Sequence, residues 1–326
     1  MRKNAIFFLM VALLLAGCAP ASSATEATAA FPTEALNIMA PAAPGGGWDG
    51  TARAMQPILA KTTGQTVQVY NVAGAGGTVG LAQFVSEAKG NPHELMVGGL
   101  VMVGAIQTNK SPVNLSQVTP LALLTAEAEA IAVPADSKYE NLQQLIDDFK
   151  ADPTAVSWGG GSAGGTDHIL VGLIAKEVGV DPGQINYIAH SGGGEATAAI
   201  LSGAVSAGVS GVSEFIDQVD SGAMRILAVS SEERVEGVDA PTIKEAGVDV
   251  ALINWRAVFG PPELSPEERN AVIAEIQEMH DSEEWKQALE TNGWTDFFKA
   301  GDEFTTFLND EITRIEGVLT DIGLVQ

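Results

Sequence analysis

One phrase recurs along this chain and constrains its fold more than any other feature: an apolar run, a glycine-rich loop, and the start of a helix. Leu36 to Pro41 is followed by Ala42-Ala43-Pro44-Gly45-Gly46-Gly47-Trp48, after which Asp49 opens a helical segment from Gly50 to Thr63. Thr66 to Asn71 leads into Gly74-Ala75-Gly76-Gly77, a helix to Lys89 and a strand near Glu94 to Gly98. The phrase returns with Ala155 to Trp158 and the loop Gly159 to Thr166, then a helix from Asp167 to Val178. It returns again with Ile185 to Ala189, His190-Ser191-Gly192-Gly193-Gly194 and a helix to Leu201, and strands at Ala207 to Ser210 and Arg225 to Ser230 complete that half. Such alternation predicts an α/β protein whose sheets are mostly parallel and flanked by helices. From Ser265 to Ile322 the pattern is helical with no strand signal, so this stretch is expected to coat a domain from outside.

Two stretches read as crossings between lobes: Pro120 to Pro134, extended and apolar around Glu127 and Glu129, and Ser230 to Gly237. A chain that leaves at the first and returns at the second builds a discontinuous lobe 1 (33–126 and 236–326) and a continuous lobe 2 (127–235). A double crossing of this kind suits a hinged clamshell.

The N-terminus carries an address. Arg2 and Lys3 precede an apolar run from Ala5 to Leu15, too short for a comfortable membrane span, and Leu15-Ala16-Gly17-Cys18 supplies small residues for cleavage. Residues 1–17 read as a signal peptide of the bacterial lipoprotein pattern, which lipidates the cysteine. Cys18 is the only cysteine, which rules out an internal disulfide. Residues 18–32, small and polar, read as a flexible tether. The expected location is therefore extracytoplasmic, in the periplasm or at the cell surface, with the membrane touched only through the lipid.

Charge removes whole classes of function. With 41 acidic and 17 basic residues the formal net charge is -24. That excludes binding nucleic acid by neutralising phosphates and disfavours anionic lipid surfaces. Gly74-Ala75-Gly76-Gly77-Thr78-Val79-Gly80 misses the dinucleotide fingerprint by one position, and there is no Gly-Lys pair for a Walker loop. His93, His168, His190 and His280 are scattered, so neither a metal nor a cofactor is expected. What remains is the chemistry of the glycine loops. In open α/β sheets ligands lie beyond the carboxyl ends of the strands, where the following helices point free N–H groups and the positive end of their dipoles. Such places favour anions even on an acidic protein. Gly160-Gly161-Ser162-Ala163-Gly164 also satisfies G-x-S-x-G, so the enzyme alternative is a secreted serine hydrolase using Ser162. Against it, Gly165 and Thr166 prolong the loop, and His280 lies on a charged helix. Asp49 reads first as a helix cap, Trp48 as a wall of the cleft, and Trp158 and Trp255 as core.

Taken in order, several motifs resemble a family. They are Pro44 to Asp49, Val69-Tyr70-Asn71 with Gly74 to Gly77, Gly161-Ser162 through Asp167-His168, and Asn186-Tyr187 with Ser191-Gly192-Gly193. Leu227 to Ser230 with Pro241-Thr242 and Glu245-Ala246-Gly247 completes the set. From about residue 35 onward the chain resembles the extracytoplasmic receptors of tripartite tricarboxylate transporters, also called the Bug family. The resemblance implies a two-lobed periplasmic-binding-protein fold closing on a small di- or tricarboxylate, without catalysis. It also implies a monomer that hands its ligand to a permease of two integral subunits driven by an ion gradient. A signalling receptor for a sensor kinase is a third reading. By position, the resemblance places Gly46, Gly47, Trp48 and Asp49 in the first loop of the site and Asn71 and Gly76 in the second. Ser162, Gly165, Thr166, Asp167 and His168 fall in the facing loop, with Ser191 and Ser210 beside it. The chain departs from the family pattern at Trp48 and at Thr166-Asp167. Asp167 next to the histidine would repel one carboxylate arrangement, cap its helix, or bind a ligand hydroxyl or amine. Gly47→Val is expected to weaken ligand affinity while leaving the fold intact, which calorimetry beside a melting curve checks.

Overall fold

A computed structural model describes residues 31–325. The expected signal peptide, Cys18 and most of the expected tether lie outside the described residues. Phe31 already belongs to the packed chain, its ring tilted against His93 with centroids 5.1 Å apart, so the fold begins two residues before the expected boundary.

Strands β1 (Leu36–Ala40), β2 (Val67–Asn71) and β3 (Glu94–Gly99) form a parallel block in the order β2-β1-β3. Their apolar runs suit strands covered on both faces. Register pairs Ala40 with Asn71, so the loops after β1 and β2 emerge at one edge. A second parallel block contains β5 (Ser157–Gly160), β6 (Asn186–Ala189) and β7 (Ala207–Gly211), in the order β7-β5-β6. Gly160 pairs with Ala189 and likewise brings two loops together.

The blocks are joined by antiparallel strands. β4 (Thr119–Pro134) is the extended stretch expected as the first crossing. Up to Ala128 it pairs with β9 (Ile253–Gly260), which itself pairs with β3; from Glu129 it pairs with β7 and with β8 (Met224–Val229). The ladder shifts register between Pro120 and Ala122 and between Leu123 and Thr125, irregularities that bend and twist a long strand. All the antiparallel pairs involve β4 or β9, because a chain that crosses and returns must run back beside itself.

The return comes later than the sequence suggests. Thr242 still bridges to Val229 at the edge of β8, and the chain rejoins the first block only at β9. Ser230 fastens this edge. Its hydroxyl accepts from the Glu129 N–H at 2.8 Å and donates to the Leu252 carbonyl at 2.6 Å. The C-terminal region also holds a strand that its polarity concealed, β10 (Thr295–Ala300), antiparallel to β4. Residues of β10 are partly or fully exposed, so only pairing with β4 makes this charged segment a strand.

Helices cover the sheets as expected: α1 (Gly47–Thr63), α2 (Thr78–Glu87), α3 (Leu100–Thr108), α4 (Leu142–Ala151), α5 (Thr166–Glu177), α6 (Gly193–Leu201) and α7 (Val212–Asp220). Three more, α8 (Pro266–Asp281), α9 (Glu283–Asn292) and α10 (Gly301–Asp321), follow β9. Trp158 and Trp255 are core residues. The far end of α10 reaches α5, where Asp321 pairs with Lys176 at 2.9 Å and buried Ile322 packs on Gly172. Ile322→Ala should therefore lower stability by about 2–4 kcal/mol in denaturant unfolding, because a fully buried branched side chain is lost from that contact.

Candidate functional site

The loops at the carboxyl ends of both parallel blocks meet around one cavity of about 400 Å³. One side is formed by Pro41, Ala42, Gly46, Gly47, Trp48, the Gly74–Gly77 loop, Val101 and Asn109. Facing it are Gly161, Ser162, Ala163, Gly165, Thr166, Asp167, the Ala189–Gly193 loop, Glu195, Ser210, Gly211 and Glu214, with Asn254 and Arg256 of β9 at the base.

Four helices begin at this cavity. α1, α5, α6 and α7 have Gly46, Gly165, Gly192 and Gly211 at their N-caps, and no side chain caps any of them. Away from the cavity, α4, α8 and α9 are capped by Asn141, Ser265 and Ser282. The first-turn N–H groups of a helix have no intrahelical acceptor, and they carry the positive end of the dipole. Glycine caps leave the first-turn donors without a capping side chain, and apart from the Ser213 N–H of α7, taken by Glu127, and the Asp167 N–H of α5, taken by the Asp167 carboxyl, they are open to whatever enters the cavity. This arrangement suits a carboxylate and needs no net positive charge.

At the base lies a buried cluster of charge. Arg256 donates through Nη2 to Glu127 Oε2 at 2.5 Å, with the two side chains 2% and 1% exposed. Glu127 Oε1 accepts from the Ser213 N–H at 2.7 Å. The Arg256 guanidinium also lies 5.5 Å from the Trp294 ring centroid, while its Nη1 has no acceptor. Burial opposes the charge on Arg256, but Glu127 and Glu214 outweigh it and hold the pKa above the ordinary value. Next to this pair, Glu129 is fully buried and neither of its oxygens meets an N–H or hydroxyl donor. Burial, reinforced by the charges of Asp167, Glu127 and Glu214, pushes Glu129 well above the usual carboxyl range. Burial thus favours the protonated form of Glu129, which lies beside Asp167.

Asp167 accepts from the Gly161 N–H at 2.5 Å. Burial lifts it to about 6, the Gly161 and Asp167 N–H groups and Glu129 limiting the rise. Glu214 accepts from the Ser210 hydroxyl at 2.7 Å, and burial lifts it to about 7 despite Ser210 and Arg256.

Of the residues expected at the site, Gly46, Gly47, Trp48, Gly76, Ser162, Gly165, Thr166, Asp167, Ser191 and Ser210 line the cavity. Asp49, Asn71 and His168 are not on its wall. Asp49 accepts from the Gly45 N–H and Arg53 at 2.9 Å and from Asn71 Nδ2 at 2.9 Å, so it pins the β1 and β2 loops together. Burial would raise its pKa, yet Arg53, Gly45 and Asn71 together keep it lowered. The helix also starts earlier than expected, at Gly47, so Asp49 sits in the first turn and Gly46 is the cap. His168 stacks on Tyr187 at 4.1 Å, and its Nδ1 accepts from the Gly164 N–H at 3.2 Å. Burial lowers its pKa to about 4, so it is neutral and holds the loop. Ser162 makes no hydrogen bond to a histidine among the described residues, and His280 is engaged by Asp281 and Asp296.

The sequence reading missed Arg256, Asn254, Glu127, Glu129 and Glu214 as site residues. Charges inside apolar strand runs were the available signal, at Glu127 and Glu129 in β4 and at Arg256 in β9. It also mistook one purpose of the glycines. A Cβ on Gly47 would lie 2.5 Å from Arg256 Nη2, and one on Gly193 would overlap Glu214 Oε2. These glycines make room for the protein's own charged groups.

Paired α/β blocks with loops around one cavity define a binding protein of the periplasmic type. The chain belongs to the tripartite tricarboxylate transporter receptor family, whose model matches residues 51–324. It is 27% identical over 299 residues to Protein BugT of Bordetella pertussis, covering 90% of both chains. MatC from Rhodopseudomonas palustris, solved with bound malate, superposes with a TM-score of 0.80 at 24% identity, covering 89% of this chain and 100% of that one. R. palustris Rpa4515, solved with adipate, gives 0.82 at 20% identity and covers 90% and 98%. The described helices include none long and apolar enough to cross a membrane.

Gly47→Val should lower thermal stability as well as affinity, because its side chain displaces Arg256 from the buried pair; an unchanged melting temperature in calorimetry contradicts this. Glu214 sets a pH dependence. In the folded state it holds its proton up to about 7, against 4.5 unfolded, so its contribution is fully present below pH 4.5 and is lost as pH rises through 7. Glu214→Gln removes that slope. Relative to wild type, the variant should gain roughly 2 kcal/mol between pH 4.5 and 7.5 in chemical denaturation, the partial exposure of Glu214 holding the figure below the full shift.

Proposed function

We propose that this protein is a lipid-anchored extracytoplasmic receptor that captures a small organic carboxylate and delivers it to a tripartite tricarboxylate permease. Cys18 would carry the lipid, and two integral-membrane subunits would receive the ligand. The observation that carries the reading is the set of glycine-capped helix N-termini around one cavity. Family membership and relatives of the same fold solved with malate and with adipate support it. The cavity falls within the size range of small-molecule sites.

The receptor performs no covalent chemistry in this reading. Its two blocks act as lobes that close about β4 and β9, and the permease recognises the closed form because the ligand binds that state more tightly. The expected division into lobes stands as part of the proposal, with the second crossing moved to the approach to β9.

A thermal-shift screen of the purified protein against citrate, succinate, malate, adipate, glutamate and neutral sugars tests the reading. A true ligand at one hundred times its dissociation constant stabilises the fold by about 2.7 kcal/mol. One or more acids should raise the melting temperature and be recovered unchanged. A response to neutral solutes alone, or consumption of the hit, would overturn it.

A further inference from the structure

Each of the four glycine-capped helix ends at the cavity already carries an acid of its own. Asp49 lies in the first turn of α1, Asp167 of α5, Glu195 of α6 and Glu214 of α7. A carboxylate in that position draws on the same positive dipole that attracts an anionic ligand, so two ionised acids at one helix end repel each other. Two of the four are provided for. Asp49 pairs with Arg53, and Glu195 is exposed to water and accepts from the Ser191 N–H at 2.9 Å. Asp167 and Glu214 line the cavity without a cation of their own, Asp167 accepting from the Gly161 N–H and Glu214 from the Ser210 hydroxyl. The groups facing them are Glu127 and Glu129 of β4, Arg256 of β9, Tyr187 of β6 with His190 just beyond it, and Glu195 of α6. Arg256 is committed to Glu127, and Glu129 is fully buried with both oxygens unpartnered. Tyr187 donates to the Gly161 carbonyl, and His190 Nδ1 lies 3.0 Å from the Gly160 carbonyl. Among the described residues lining the cavity there is no lysine, and Arg256 is the only arginine.

We propose that capture of a carboxylate by this protein is coupled to uptake of a proton at Glu214 or Asp167, so that affinity falls as the surrounding pH rises. The proposal rests on the receptor reading and names a regulation of the same site. An anion arriving at these helix ends meets two carboxyls that no cation balances, and a proton removes the repulsion where no side chain can. Burial already works in that direction, lifting Asp167 to about 6 and Glu214 to about 7. The sign follows from linkage: the liganded protein holds more protons than the free one, so withdrawing protons weakens binding. Loading is therefore favoured in acidic surroundings.

Calorimetry on the purified protein with succinate, malate and adipate, each in buffers of different ionisation enthalpy at pH 7.5, counts the protons. The wild type should take up about half a proton or more per ligand, and its affinity should fall about threefold or more between pH 6.5 and 8. The three acids are almost fully ionised over that range, so the slope belongs to the protein. Glu214→Gln should at least halve both the uptake and the slope, and Asp167→Asn added to it should abolish what remains, melting curves checking that each variant is folded. If the double variant does not fold, Glu214→Gln alone decides. Binding without proton uptake and with constant affinity overturns the proposal and leaves the receptor reading standing, as does a slope that Glu214→Gln leaves whole. Binding of none of the three acids overturns the proposal, and with the other acids of the thermal-shift screen also silent it overturns the receptor reading.

Discussion

The structure depends on one buried ion pair, Arg256 with Glu127, set where the two sheets share strands. Arg256 is on β9 and Glu127 on β4, and their strands pair side by side before β4 passes into the second sheet. Removing two charges from water costs several kcal/mol per ion, which only close geometry and further hydrogen bonds can offset. Here the Ser213 N–H and the Trp294 face provide part of that compensation. Either partner alone would be an uncompensated buried charge, so loss of one is strongly destabilising.

The site inherits its electrostatics from this constraint. Because Arg256 is held by Glu127, the remaining carboxyls must find other solutions. Burial favours the protonated form of Glu129 beside Asp167, while Glu214 leans on Ser210. Burial is the leading cause of each raised carboxyl pKa. The result is a cavity whose attractive potential for anions comes from helix ends and whose base is acidic, a combination that separates ligands by where their charges lie as well as by their sum.

Much of this was legible beforehand. The strand, glycine loop and helix phrase predicted β1, β2, β5 and β6 and the edge at which their loops meet, because register in a parallel block brings strand ends together. Most of the residues expected in those loops do line the cavity. Asp49, read first as a helix cap, and His168, open between ligand contact and structural residue, both hold the loops, a distinction that one-dimensional spacing cannot make. Both residue types serve equally as ligand contacts and as loop clasps, and only the positions of Asn71, Gly164 and Tyr187 decide between them. β10 escaped notice because its alternation of apolar and charged residues is weak and its strand character comes from pairing with β4.

The sequence by itself determined the local grammar: which runs are strands, which loops need glycine, and which helices have side-chain caps, since these rest on backbone conformation and neighbours a few residues away. It also determined the acidity of the chain. Tertiary structure alone decided which charges meet. Glu127 and Arg256 are 129 residues apart, and no local pattern encodes a contact of that range. Once it forms, the low dielectric around it raises the pKa of Glu129, Asp167 and Glu214, and that shapes the chemistry of the cavity.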